Sequence, residues 1–185
     1  MEKTPLRLPA DFVDLLTELE RSEVRYVLLG GYAVGFHDRP RTTRDLDLLI
    51  DSSPPNVERA TRALSAFGAP RSVLEAFRQA ADDEVVWMGV PPVRIDLLRA
   101  ADGIEFGSCY RRRQRVRIGA LEVSIIGLDD LIANKRAAGR PHRQYSLLSR
   151  HRRGLRRHIP GARIRGRAQS RRVHCSRRNR SFHVR

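Results

Sequence analysis

Two hydrophobic periods alternate along the first three-quarters of the chain. Over residues 9–20, Phe12, Leu15, Leu16 and Leu19 recur at three- and four-residue steps, the period of one helix face, and predict a first helix. Residues 24–29 form a short β-rich run ending at Gly30-Gly31. Residues 32–37 suit a brief helix closed by the turn-like Asp38-Arg39-Pro40. Residues 45–50 alternate charged and apolar side chains before turning wholly apolar, which predicts a strand. Ser52, Ser53, Pro54 and Pro55 then break the chain and open a helix over 56–67. A further helix is predicted over 72–80, strands over 84–89 and 93–98 joined at Pro91-Pro92, and a short helix over 106–113. A hairpin over 114–118 and 121–126 turns at Gly119-Ala120, and residues 128–138 close the series as a helix with Leu128, Leu131 and Ile132 on its apolar face. The sum is a mixed α/β (α+β) domain over residues 1–141, with five or six short strands in a central sheet flanked by helices. No internal repeat is present.

Composition changes this picture at one point. The 185 residues hold 36 Lys and Arg against 21 Asp and Glu, a formal charge of +15. Residues 1–141 carry 21 basic and all 21 acidic side chains, whereas residues 142–185 carry 15 Arg, five of the six His and no acid. The whole excess therefore belongs to the last 44 residues. That segment lacks a sustained apolar period and cannot bury enough surface to offset its ordering entropy, so it is expected to be disordered, with room for a helical turn or two over 145–155. No apolar run approaches the roughly 18–20 residues that cross a bilayer, and the first residues lack a signal-peptide pattern. Cys109 and Cys175 lie far apart in unlike surroundings, which supports neither a disulfide framework nor a zinc site. The expectation is a soluble cytoplasmic protein.

The candidate chemistry lies in residues 28–51, LLGGYAVGFHDRPRTTRDLDLLID. Asp45 and Asp47, two apart on a predicted strand, leave the same face. Two carboxylates so close repel unless a cation sits between them, and hard oxygen ligands favour Mg²⁺ or Mn²⁺. A pair of such ions clamps both sides of an in-line phosphoryl displacement. Taken alone, an Asp-x-Asp is more readily a solvent-facing strand edge or a capped turn. Gly30-Gly31, between a strand and a helix, lets backbone approach a phosphate and offers it the helix N-terminus; a plain strand-to-helix turn uses the same residues. Asp96 is a single acid in an apolar strand and reads as a third ligand or as the partner of a neighbouring Arg. Lys135 is one of only two Lys beside 34 Arg, and its compact charge suits a polyphosphate, with a solvated helical Lys as the alternative. Thr43 and Arg44 lie beside the aspartates and are positioned to steer phosphates, as are Arg39 and Arg41. His37 reads as a helix-end residue rather than a base.

Gly-Gly followed by 13 residues and Asp-Leu-Asp resembles the signature of nucleotidyltransferases of the DNA polymerase β superfamily. Within it, the body resembles small bacterial proteins related to the AbiEii and MenT toxins. The likeness runs through GGYAVGFHDRPRTTRDLDLLID, the GVPPVRIDLL segment and IIGLDDLIANKRAAGRP, in that order. It implies the nucleotidyltransferase fold and transfer of a nucleoside monophosphate from an NTP with release of pyrophosphate. It further implies Asp45, Asp47 and Asp96 as metal-binding and catalytic carboxylates. Gly30, Gly31, Thr43, Arg44 and Lys135 would then bind the nucleotide. The acceptors it implies are RNA, tRNA above all, in a toxin–antitoxin setting with a cognate antitoxin as partner; a protein or small-molecule acceptor is the alternative. Gly31 departs from the pattern, since many members carry Ser there.

The larger departure follows Pro141, where related chains are expected to continue into an acidic helix. Here balanced charge gives way to Arg without acids. A reading-frame shift near codon 141 of an Arg-biased gene accounts for this; a basic arm that binds RNA through its phosphates is the rival reading. With only Tyr145 and Phe182 as aromatics, such an arm has little to stack on bases. A degenerate, inactive copy of the fold is the third possibility.

Overall fold

A computed structural model describes residues 8–38, 43–90 and 93–139. The expectations for the Arg-rich segment 142–185, and for Arg39, Arg41 and the Pro91-Pro92 link, lie outside the described residues. In chain order the elements are α1 (Ala10–Arg21), β1 (Tyr26–Leu28), α2 (Gly30–His37), β2 (Asp45–Ile50), α3 (Pro54–Phe67) and α4 (Arg71–Gln79). These are followed by β3 (Val85–Val90), β4 (Val93–Leu98), α5 (Phe106–Arg111), β5 (Gln114–Ile118), β6 (Leu121–Ile125) and α6 (Leu128–Ala137). The strands form one mixed sheet in the order β3-β4-β2-β1-β6-β5. The chain leaves β1 through α2 and returns antiparallel as β2; β2 and β4 run parallel, as do β1 and β6.

The helical stripe read from the sequence is the one buried: Phe12, Leu15, Leu16 and Leu19 of α1 are fully enclosed. They pack against α3, whose Ala60, Ala63 and Leu64 are also fully buried; the small Ala side chains let the two helices come close. Each buried Leu contributes about 1.5–3 kcal/mol relative to exposure. The two helices reach the sheet through β6 and β2. In β2, Leu46, Leu48 and Ile50 are buried to 0% exposure, while Asp45 and Asp47 alternate with them on the opposite face. Leu49, on the aspartate face, is buried too, so that face becomes apolar toward the C-terminal end of the strand.

The boundaries differ from the sequence expectation by small, explicable steps. Helix α2 starts at Gly30 rather than residue 32, because Gly30 takes a φ of +63° and turns the chain from strand to helix at once. Helix α5 stops at Arg111: Arg112 and Arg113 turn toward β5, Arg112 gripping Asp130 with two hydrogen bonds (3.1 and 2.6 Å). Glu105 caps α5, its carboxylate accepting from the backbone N–H groups of Gly107 (2.7 Å) and Ser108 (2.8 Å). The bonds to Ser108 and Gly107 hold this carboxyl below the usual carboxylate range.

Candidate active site

Register decides what the aspartates meet. Asp45 is paired with Arg94 across the β2–β4 ladder, and Asp47 with Asp96. Paired residues in neighbouring strands share a sheet face, so Asp45, Asp47, Arg94 and Asp96 form a charged square on one face. On the far side of β4, Trp87 of β3 stands opposite Asp96 and Gly89 opposite Arg94. Three carboxylates gathered by two parallel strands repel one another unless a cation joins them.

Between Asp45 and Asp96 that cation is Arg94. Its guanidinium holds Asp96 through a hydrogen bond from Nη2 to Oδ2 (2.9 Å) and an ion contact of Nε with Oδ1 (2.7 Å), and Nη2 also reaches Oδ2 of Asp45 at 3.4 Å. Asp96 is well shielded at 13% side-chain exposure, whereas Asp45 is open at 45%. The bond to Asp96, with the charges of Asp45 and Asp47 nearby, raises the Arg94 pKa further above its ordinary value. Asp45 also bears on Tyr32, whose phenol is pushed up mainly by burial and further by that carboxylate.

Gly30 is in direct contact with this square. A Cβ on Gly30 would fall 1.8 Å from Oδ2 of Asp47, and the positive φ there independently disfavours any other residue. The Leu29 N–H donates to the Asp47 carbonyl (2.8 Å), fixing the N-terminus of α2 beside β2. The N-cap residue is Leu29, whose side chain offers no cap to the first turn. Gly31 faces Thr43: a Cβ there would fall 2.3 Å from the Thr43 Oγ1. This gives a physical reason for glycine at position 31, since Thr43 already fills the space a side chain would take.

Among the residues expected from sequence, Gly30, Gly31, Thr43, Asp45, Asp47 and Asp96 thus come together around the start of α2 and one face of β2 and β4. Arg44 lies exposed just before β2, its carbonyl accepting from the Arg94 N–H (3.3 Å). Lys135 sits half-buried in the last turn of α6, an element that meets the site's surroundings through α2. The His37 ring approaches the Ile126 carbonyl through Nε2 (2.6 Å), the helix-end role read from sequence. For Asp96, the Arg partnership is the reading the structure supports. Sequence reasoning missed Arg94 as the bridge between two carboxylates, along with Tyr32 and Trp87 beside them. The signal for Arg94 was present: it stands two residues before Asp96, on the same strand face.

The donor set has the chemistry of a hard divalent cation site, with carboxylate oxygens on one face and a cation already bound between two of them. As the side chains stand, no three His, Cys, Asp or Glu among the described residues are grouped to hold a metal ion. The Arg94 guanidinium stands among these oxygens, paired with Asp96 and reaching Asp45. A cleft of about 430 Å³ opens beyond the other end of β2, lined by Leu49, Asp51, Arg25, Arg99 and Phe106 among others. Its charges are engaged: Arg25 pairs with Asp51 (2.9 Å), and Arg99 donates to the backbone carbonyls of Phe77, Arg78 and Ala80.

The six-stranded mixed sheet and the helices flanking it form a nucleotidyltransferase-like fold. The structure is similar to that of a proposed nucleotidyltransferase from Thermotoga maritima, with a TM-score of 0.52 over 76% of this chain and 89% of that one, at 13% sequence identity. No protein-family model matches the chain, and no curated protein matches it in sequence. No helix among the described residues is long and apolar enough to cross a membrane.

Proposed function

We propose that this protein is a metal-dependent nucleotidyltransferase that transfers a nucleoside monophosphate from an NTP to an RNA hydroxyl, tRNA being the first candidate. The observation that carries the reading is the contact between Gly30 and Asp47. A backbone free of side chains, at the N-terminus of a helix, touches a carboxylate that shares its face with two more. A triphosphate needs the first, because amide N–H groups and the helix dipole favour its charge. A phosphoryl transfer centre needs the second.

Asp45, Asp47 and Asp96 would hold Mg²⁺ or Mn²⁺, which would neutralise phosphate charge and acidify the attacking hydroxyl. The chain's own residues do the rest. Gly30 and Gly31 seat the triphosphate against the first turn of α2, with Thr43 at its flank. Asp96, buried where Asp45 and Asp47 are half-buried, would take the proton of the acceptor hydroxyl as the hydroxyl oxygen bonds to the α-phosphorus. The bond from that phosphorus to the bridging oxygen breaks, and pyrophosphate leaves with the electron pair. Arg44 and Lys135 supply positive charge toward the phosphates. RNA as the acceptor rests on the sequence resemblance; read as a basic arm rather than a frame-shifted stretch, the 15 Arg of residues 142–185, which carry no acid to neutralise them, would add phosphate contacts. The toxin–antitoxin setting and an antitoxin partner belong to the same proposal and rest on the sequence resemblance.

The test is transfer of α-labelled NTPs, each in turn, to total RNA and to total protein with Mg²⁺. The full chain is expected to label RNA, and Asp45→Ala or Asp47→Ala to lower labelling by about 100- to 1,000-fold, the loss when a principal transition-state contact is removed. Label in protein would reassign the acceptor. Absence of label from a folded chain would overturn the reaction class.

A further inference from the structure

The guanidinium of Arg94 lies where a cation shared by Asp45 and Asp96 belongs. It is placed there by two independent features of the sheet. As the register partner of Asp45 it is bound to that residue's face, and as the residue two before Asp96 it leaves β4 on the same side. Three contacts of 2.7, 2.9 and 3.4 Å then join it to both carboxylates. The two legs are unequal: the fork on Asp96 is short and shielded, and the single leg to Asp45 is long and open to solvent.

We propose that Arg94 is a resident counter-cation that keeps the carboxylate face closed to a divalent ion until a nucleotide arrives. The inference rests on the nucleotidyltransferase reading and adds an order of binding to it. Arg keeps its charge at any physiological pH, so it cannot share a site with a divalent cation by losing a proton. It has to move, and moving it into water costs the bidentate pairing with Asp96. A triphosphate supplies a new anionic partner within reach of the long side chain, which offsets that loss. A divalent ion alone therefore binds weakly, and ion with nucleotide binds strongly. By linkage the same coupling makes nucleotide binding depend on the ion. Such a gate leaves the empty site electrostatically satisfied and reserves the assembled centre for the loaded state.

Mn²⁺ is the probe, its free concentration read by electron paramagnetic resonance on the full chain, with and without a non-hydrolysable NTP analogue. In the wild type the analogue is expected to tighten Mn²⁺ binding by about tenfold or more, the lower range of binding couplings. Arg94→Gln is expected to bind Mn²⁺ alone about tenfold more tightly than wild type and to lose most of the analogue's effect. Arg94→Lys, which keeps charge but lacks the fork, should fall between them, and circular dichroism checks that each variant is folded. A structural role alone would lower thermal stability in both variants and leave the Mn²⁺ affinity where it was. Unchanged or weaker Mn²⁺ binding in both variants, beside wild-type binding that Asp45→Asn abolishes, overturns the gate and spares the nucleotidyltransferase reading. Mn²⁺ binding that is absent from every form, or indifferent to Asp45→Asn, overturns both.

Discussion

Gly30 and Gly31 are alike in sequence and unlike in what constrains them. Gly30 has both a positive φ and a carboxylate in the space of its missing side chain. Gly31 has only a neighbour, Thr43, in that space. Gly30→Ala is therefore expected to cost about 2–4 kcal/mol, combining left-handed strain with overpacking against Asp47. It should also displace that carboxylate, and no single compensating change should restore either stability or nucleotide binding. Gly31→Ser is expected to cost about 1–3 kcal/mol and to be largely rescued by Thr43→Gly, which vacates the space. Thermal unfolding of the two single variants and the Gly31→Ser/Thr43→Gly pair decides this. Lack of rescue in the pair would show that Thr43 is not what limits position 31. The sequence carried the need for glycine here in outline, as a strand-to-helix junction. It did not carry the neighbours, because Thr43 and Asp47 meet the pair only once β2 has folded back along β1.

At the scale of elements, the apolar face of the sheet was legible because Leu46, Leu48 and Ile50 alternate with acids at a period of two. Helix α1 was legible because its stripe has the helical period. The pairing of β2 with β4 was not legible, since 42 residues separate the last residue of β2 from the first of β4 and no local pattern fixes their register. That register puts Asp47 beside Asp96, and a one-residue slip would send Asp96 to the opposite face. Buried Asn56 in α3 shows how the strand ends are held. Its Oδ1 accepts from the Arg25 N–H (2.8 Å), and its Nδ2 donates to the carbonyls of Arg25 (3.1 Å) and Asp51 (3.0 Å). These bonds tie together the residue before β1, the residue after β2 and the first turn of α3. Asn56→Leu strips all three backbone groups of their side-chain partner and is expected to cost about 3 kcal/mol or more. Chemical denaturation checks it; a loss below about 1 kcal/mol would mean that water replaces the amide without penalty.

For the whole molecule, the charge that dominates the composition and the chemistry that defines the candidate site occupy different parts of the chain. Residues 1–141 are formally neutral and contain all the acids; the basic excess follows them. An average over the sequence points to a nucleic-acid binder, and only its distribution separates a formally neutral body that holds the candidate site from a basic segment. The fold was legible because most of its elements are short and amphipathic with clear breaks. The Arg94 bridge was legible only in part, as an Arg beside Asp96, because its reach to Asp45 depends on the strand pairing. The central claim is that one face of this sheet, at the start of α2, binds a nucleoside triphosphate with its divalent ion. The most direct test is a crystal of the full chain grown with Mn²⁺ and a non-hydrolysable NTP analogue, with the ion located by anomalous scattering. The expected result is an anomalous peak among the Asp45, Asp47 and Asp96 carboxylates, the triphosphate against Gly30 and Gly31, and Arg94 turned away from Asp45 and Asp96. A nucleotide bound instead in the cleft lined by Arg25 and Phe106, with no ion at the aspartates, would contradict it.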